Sequence, residues 1–154
     1  MAGPSGFGEM DIMLVFETSG VGSIPASPAI LRLFMELIIL FLLQIKHWYV
    51  DFVLQDDEQV AHKGVYGNFI GISHSIDHIA GNLIVLFLVS FFYTIPLLLI
   101  VLLSFIDGIL HYHIDWAKMN FGCRNIADKK FWNHLGQDQM AHQICYLLMV
   151  FFIA

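Results

Sequence analysis

Residues 97–105 read LLLIVLLSF, and residues 147–153, near the end of the chain, read LLMVFFI. Neither run holds a charged residue, and each belongs to a longer apolar segment. Crossing the hydrocarbon core of a bilayer takes about 20 mostly apolar residues in a helix, and a soluble helical bundle has no need of such runs. These two segments therefore predict an integral membrane protein.

Four segments have the length and apolar character of membrane spans. Pro28 precedes the first segment and Pro96 separates the second from the third, which suits a helix start and a tight break. The predicted fold class is all-α: a polytopic membrane protein built as an antiparallel bundle of about four transmembrane helices. The predicted spans cover residues 29–53, 69–93, 97–116 and 136–154.

The composition excludes several classes of protein. Hydrophobic residues make up 58% of the chain and charged residues 13%, whereas soluble domains carry about 25% charged residues. The formal net charge is −6, so the chain lacks the basic surface that nucleic acid requires. Its two cysteines, Cys123 and Cys145, provide no disulfide framework.

Residues 1–28 are predicted to form an extramembrane arm, followed by one transmembrane domain at 29–154. The arm contains no Lys or Arg and three acids, so the basic start of a signal peptide is missing. We expect the arm to be the candidate contact for a second copy of the chain or for a larger membrane complex.

The basic residues predict the orientation in the membrane. Arg32 lies at one end of the predicted bundle, and the other six lie at the opposite end. Because positive charges stay on the cytoplasmic side, the two polar loops should be cytoplasmic and both termini outside. The six residues are Lys46, Lys63, Lys118, Arg124, Lys129 and Lys130.

Each predicted span carries polar residues spaced four apart, which places them on one face of a helix. In an up-down bundle the ends that carry them all meet at the cytoplasmic end. An Asp at the centre of a span costs roughly 2.5–3.5 kcal/mol, so such residues are retained when they pair, relay protons or bind an ion. The four stripes are His47/Asp51/Gln55, His74/His78, Asp107/His111/Asp115 and Asp138/His142.

A mixed set of imidazoles and carboxylates suits Zn²⁺, Mn²⁺ or non-haem iron, and helical bundles hold such ions between facing helices. The alternative is a layer of polar contacts that ties the helices together at about 0.6 kcal/mol per contact. If an ion binds, the predicted ligands are His47, His74, His78, His111 and His142. The predicted catalytic or bridging carboxylates are Asp51, Asp115 and Asp138. The predicted substrate-binding residues are Lys63, Lys118, Gln55 and Gln139.

These residues resemble, in order, the blocks of a bacterial and phage membrane protein family catalogued as domain of unknown function 3307. The resemblance spans about residues 40–150 and implies a bacterial inner-membrane location. The polar blocks of the family are similar to those of membrane-bound metal-dependent hydrolases. This similarity is an analogy between sites and does not assign an activity. The arm is longer than the family pattern needs. The blocks are His47-x-x-x-Asp51-Phe52-x-x-Gln55 followed by Lys63; His74 with His78; His111-x-x-Ile114-Asp115-x-x-Lys118; and Asp138-Gln139-x-x-His142.

Four functions are compatible with this sequence. The first is a metal-dependent hydrolase of a lipid or a phosphate ester in the cytoplasmic leaflet. The second is a His-rich membrane oxidase with non-haem iron, for which eight histidines are a small supply. The third is a non-catalytic accessory or assembly subunit of a larger membrane complex. The fourth is proton or ion transport through Glu36 and Asp107, which would need an oligomer.

Overall fold

A computed structural model describes residues 27–154, and all regular structure within that range is helical. The predicted N-terminal arm lies outside the described residues. The helices are α1 (Pro28–Tyr49), which continues into a π-helical segment (Val50–Leu54), then α2 (Asp57–His62), α3 (Phe69–Ser90), α4 (Leu97–Phe121) and α5 (Lys129–Ile153).

Local sequence explains where these helices begin. The Ser27 side chain accepts a hydrogen bond from a first-turn amide of α1, and Asn68 does the same for α3. Asp128 caps α5 in this way, so α5 begins at Lys129 rather than at the predicted residue 136. Such side-chain acceptors satisfy amides that have no partner inside the helix. α4 also runs past the predicted residue 116 and ends at Phe121.

Four long helices form a closed ring in which α1 packs on α3, α3 on α4, α4 on α5 and α5 on α1. Three stretches are long and apolar enough to cross a membrane: Pro28–Leu54, Phe69–Ser90 and Leu97–Phe121. α5 is not among them, because its first half carries charged and polar residues such as Lys130 and Asp138. The membrane character of the chain thus follows from three helices.

The polarity of the bundle is reversed relative to a soluble protein. Large apolar side chains cover its outside, with Phe41 64%, Phe92 85% and Phe151 71% exposed. A soluble monomer rarely shows an apolar surface of this extent, whereas acyl chains would cover it in a bilayer. Among the described residues, 14 polar or charged residues are buried but only 11 hydrophobic ones.

The interior is divided into two halves. An apolar core of residues such as Leu43, Leu86 and Met149 fills one half of the ring. The other half, where α1 and α4 end and α3 and α5 begin, holds the buried histidines and aspartates. The convergence of the four polar stripes at one end of the bundle therefore agrees with the prediction.

Glycine allows one close approach that matters for the polar half. A Cβ atom on Gly81 of α3 would lie 2.7 Å from Cγ of Lys46 on α1, which is closer than real Cβ contacts come. The absence of a side chain at Gly81 lets the Lys46 side chain cross α3 and enter the polar interior.

Candidate metal centre

Asp51 enters the centre from the π-helical segment at the end of α1. The backbone amide of Gln55 donates to the carbonyl oxygen of Val50, five residues earlier, at 3.1 Å. A π turn of this kind is rare and is found frequently at functional sites. It changes the direction in which α1 presents its last side chains, and the Asp51 carboxylate points into the bundle.

Three imidazoles converge on one oxygen of Asp51. The Nε2 atoms of His78, His74 and His111 lie 2.8, 3.2 and 3.5 Å from Asp51 Oδ1. The Nε2 atoms of His74 and His111 are 3.2 Å apart. All three rings are 1% exposed or less. One atom from each of these four residues can therefore be placed around a single point.

These separations fit a metal-ligand set. Two donor atoms held at 2.0–2.1 Å from one ion at tetrahedral angles are about 3.3 Å apart. The separations among the ligand atoms of Asp51, His74 and His111 run from 3.2 to 3.5 Å. Three imidazole nitrogens and one carboxylate oxygen form a donor set that suits Zn²⁺, Mn²⁺ or iron.

A second group overlaps the first. His111, Asp115 and His142 also bring one ligand atom each within reach of a common point. His111 Nε2 lies 3.4 Å from Asp115 Oδ2, and His142 Nε2 lies 3.8 Å from Asp115 Oδ1. His111 Nε2 is the nitrogen that faces the carboxylates of both Asp51 and Asp115, and one nitrogen lone pair serves one ion. The two groups are therefore alternative or adjoining positions around His111.

The second group contains a buried imidazole nitrogen that no described residue hydrogen-bonds. His142 Nε2 has no hydrogen-bond partner among the described residues, and the residue is 1% exposed. Its nearest carboxylate oxygens, on Asp115 and Asp138, are 3.8 and 3.6 Å away, which is too long for a hydrogen bond. An unpaired buried nitrogen is costly, and an ion at this point would satisfy it. The Nδ1 atoms of His74 and His111 likewise have no hydrogen-bond partner within residues 27–154.

His47 was predicted as a ligand, and the structure places it beside both groups rather than in either. Its Nε2 atom lies 3.3 Å from Asp51 Oδ2 and 3.0 Å from Gln139 Oε1. Its Nδ1 atom lies 2.9 Å from the Tyr146 hydroxyl. Because both ring nitrogens are engaged, His47 is arranged to orient Asp51, which is the usual task of an outer partner in a metal site.

Lys46 and Tyr146 form a polar layer below the centre that the sequence did not reveal. Lys46 Nζ donates to the Tyr146 hydroxyl at 2.9 Å and lies 3.1 Å from His78 Nδ1. It also lies 3.8 Å from Asp107 Oδ2, which accepts a hydrogen bond from Asn82 at 2.7 Å. Tyr146 and Asn82 each lie four residues beyond a histidine of the centre, so extending the stripes by one turn would have found them.

The predicted substrate-binding residues are mostly paired with acids. Lys63 Nζ lies 2.8 Å from Asp115 Oδ2, and Lys118 Nζ lies 3.5 Å from Asp138 Oδ2. Gln139 donates to Asp138 at 3.2 Å. The Lys63 side chain is 9% exposed whereas that of Lys118 is 26% exposed. Gln55 Nε2 is buried and has no hydrogen-bond partner in the part of the chain that the structure describes.

Three other histidines stay at the periphery. His113 Nδ1 donates to the Ile109 carbonyl, and His62 Nδ1 donates to the Glu58 carbonyl. His134 lies in the first half of α5, where its Nδ1 atom accepts the backbone amide of Cys123 at 2.8 Å. None of the three belongs to either ligand group.

We expect Gly81→Ala to weaken metal binding, because the new Cβ would displace the Lys46 side chain from His78 and Tyr146. Loss of an outer partner typically costs about 10–100-fold in metal affinity. Gly136→Ala is the matched control, since a Cβ there meets nothing within 4 Å. Zn²⁺ titration against a competing chelator measures both variants. Equal affinities in the two folded variants would show that Lys46 does not support the centre.

Compared with protein-family models, curated proteins and solved structures, this chain shows no match.

Proposed function

We propose that this chain is a four-span membrane protein with a divalent metal centre at the cytoplasmic end of its bundle, and that it is a metal-dependent hydrolase of a lipid or phosphate ester. The observation that carries the proposal is the convergence of three imidazole Nε2 atoms on Asp51 Oδ1 in a buried site. The proposal includes a bacterial inner-membrane location and membership in the family that the polar blocks resemble.

α5 is the proposed fourth span. Its 25 residues correspond to about 37 Å at 1.5 Å per residue, which exceeds the hydrocarbon thickness. Asp138 and His142 are buried, while Leu147 and Phe151 on the same helix are exposed. Polar residues that face the bundle interior are the form in which membrane helices tolerate them.

Asp138 is the proposed general base. Asp51 and Asp115, which were predicted as catalytic, each contribute an oxygen to a ligand group. Asp138 belongs to neither group, yet its Oδ1 atom lies 3.6 Å from His142 Nε2, so it is adjacent to the centre. It also lines a cleft of about 370 Å³ between α4 and α5. It is the nearby carboxylate that lines this cleft and belongs to neither ligand group.

The reaction is the addition of water across a phosphate ester bond. Asp138 takes a proton from water, the water oxygen bonds to phosphorus, and the ester P–O bond breaks. The proton held by Asp138 returns to the departing alcohol oxygen, so atoms and charge balance. A bound divalent ion would supply Lewis acidity toward the phosphoryl oxygen and favour deprotonation of water. Lys118 Nζ lies 3.5 Å from Asp138 Oδ2 and forms an ion pair with this carboxylate.

We expect Asp138→Asn to retain metal but to lose roughly 10²–10⁴-fold in hydrolysis rate, the usual contribution of a general acid or base. The full chain is purified in detergent with its metal, and phosphate release is followed from p-nitrophenyl phosphate and from phosphatidic acid. Asp128→Asn is the matched control, because Asn caps a helix as well as Asp and Asp128 is the N-cap of α5, ten residues before Asp138.

Two results would contradict the hydrolase. One is a metal-loaded wild type that releases phosphate from neither substrate. The other is equal loss of rate in Asp138→Asn and Asp128→Asn. In the first case the accessory-subunit function would become the better account of the chain.

A further inference from the structure

The seam between α4 and α5 contains two successive clefts that differ in polarity. The first holds about 370 Å³ and is lined by Ala117 and Lys118 of α4 and by His134, Asp138 and Ala141 of α5, among others. The second holds about 110 Å³ and lies further along the same two helices, between residues 103–110 and 145–152. The clefts are one helical turn apart, since residues 110 and 114 and residues 141 and 145 delimit them.

The first cleft contains side chains that can bind an anion. The Lys118 side chain is 26% exposed and meets Asp138 at 3.5 Å, so its ammonium group retains donors that Asp138 does not use. His134 accepts the Cys123 amide through Nδ1, which places the proton of the neutral ring on Nε2 as a further donor. The cleft therefore offers cationic and neutral donors beside the carboxylate that adjoins the metal centre.

The second cleft is lined by side chains that can bind the hydrocarbon chain of a lipid. Most of its lining is apolar, including Leu103, Leu110 and Phe152. It lies in the apolar half of the bundle, where Leu103 and Met149 belong to the hydrophobic core. A narrow apolar groove of this volume suits part of an acyl or prenyl chain better than a polar molecule.

We propose that the α4–α5 seam is the lateral entrance for an amphiphilic substrate, an anionic phosphate lipid whose head group occupies the first cleft and whose chain follows the second. The proposal rests on the proposed hydrolase function for the fate of the head group, but binding itself does not require turnover. It selects a membrane lipid over a water-soluble phosphate ester, because an apolar cleft lies one helical turn beyond the head-group cleft along the same two helices. The small side chains of Ala117 and Ala141 keep the entrance open.

The α3–α4 groove provides an internal comparison on the same molecule. It holds about 310 Å³ and is lined by Ile76, Ile79 and Tyr112, among others, without a lysine or arginine. A lipid that only coats the apolar surface would enter this groove as readily as the seam. A lipid recognised by its phosphate would prefer the seam.

Photocrosslinking of the full chain tests the proposal. The probes are phosphatidic acid and phosphatidylcholine that carry the same photoreactive group on the acyl chain, in vesicles of otherwise identical composition, with labelled peptides located by mass spectrometry. We expect phosphatidic acid to label the residues of α4 and α5 that line the two seam clefts about tenfold more than phosphatidylcholine, a preference equivalent to about 1.4 kcal/mol. Both probes should label the residues that line the α3–α4 groove equally. Lys118→Met should remove the preference, and Ala141→Trp should remove most seam labelling.

Ala80→Trp is the matched control, because Ala80 is exposed on α3 away from the seam. Equal labelling of the seam by the two probes, or labelling that survives Ala141→Trp, would overturn the proposal. Loss of phosphatidic acid labelling in excess inorganic phosphate would assign the cleft to free phosphate and would also overturn it. Because crosslinking needs no turnover, seam labelling without hydrolysis would contradict the proposed function alone, and hydrolysis without seam labelling would contradict the entrance alone.

Discussion

His111→Ala should abolish metal binding. Of the described residues, His111 is the one that both ligand groups share, so its loss leaves the first group with two imidazoles and the second with one. We expect the affinity for Zn²⁺ to fall by more than the roughly 10–100-fold that loss of an outer partner costs. Elemental analysis of purified protein and titration against a chelator measure the change.

His113→Ala is the control for this prediction. His113 lies two residues further along α4, is exposed, and bonds to the Ile109 carbonyl outside both groups. It should keep the metal content of the wild type. Size-exclusion chromatography in detergent establishes that both variants are folded. A His111→Ala protein that keeps its metal, or a wild type that binds none of Zn²⁺, Mn²⁺ and Fe²⁺, would contradict the metal centre.

His142→Ala then distinguishes the two groups. If the ion occupies the position among Asp51, His74 and His78, His142→Ala should retain it. If the ion occupies the position at Asp115, the ion should be lost in His142→Ala and retained in His78→Ala. Loss in both variants would indicate a centre that spans the two positions.

The convergence of the polar residues could be predicted because it depends on two local rules. Residues four apart share a helix face, and short connections make successive helices antiparallel. His74 and His78 reach one point with His111, and His111 reaches a second point with Asp115, for these reasons. Neither rule needs knowledge of side-chain packing, and both apply to the sequence alone.

The roles within the centre could not be predicted because they depend on packing between helices. Lys46 precedes His47 by one residue, about 100° around the helix, so no stripe includes it. It reaches His78 because Gly81 leaves room for its side chain. The sequence predicts Lys63 to be available for an anionic substrate, but the polypeptide after α2 places its side chain against Asp115.

The proposed fourth span, α5, shows a second reason why part of the fold could not be predicted. Hydropathy identifies a span by its average composition, and the first half of α5 lowers that average because it supplies Asp138 and His142 to the interior. The residues that give α5 its proposed role in the centre are thus among the polar residues that keep it out of the set of helices apolar enough to cross a membrane.

Breaking the buried pair of Lys46 and Asp107 should destabilise the bundle strongly. The two side chains are 5% and 4% exposed, and Lys46 Nζ lies 3.8 Å from Asp107 Oδ2. Either Lys46→Met or Asp107→Asn leaves one buried charge without its counter-ion, which costs about 3–5 kcal/mol. The double variant removes both charges and should recover most of that loss, since replacing a whole buried pair is often neutral.

Thermal unfolding in detergent of the wild type, the two single variants and the double variant measures this coupling. Glu36→Gln is the control, because Glu36 pairs with Arg32 at 3.2 Å where the side chains are 21% and 53% exposed, and an exposed pair contributes at most about 1 kcal/mol. A double variant that is no more stable than the single variants would show that Lys46 stabilises the bundle through His78 and Tyr146 rather than through Asp107. Recovery of stability in the double variant would instead assign the stabilising role to the Lys46–Asp107 pair. The contact of Lys46 with His78 would then be tested separately, by measuring metal affinity.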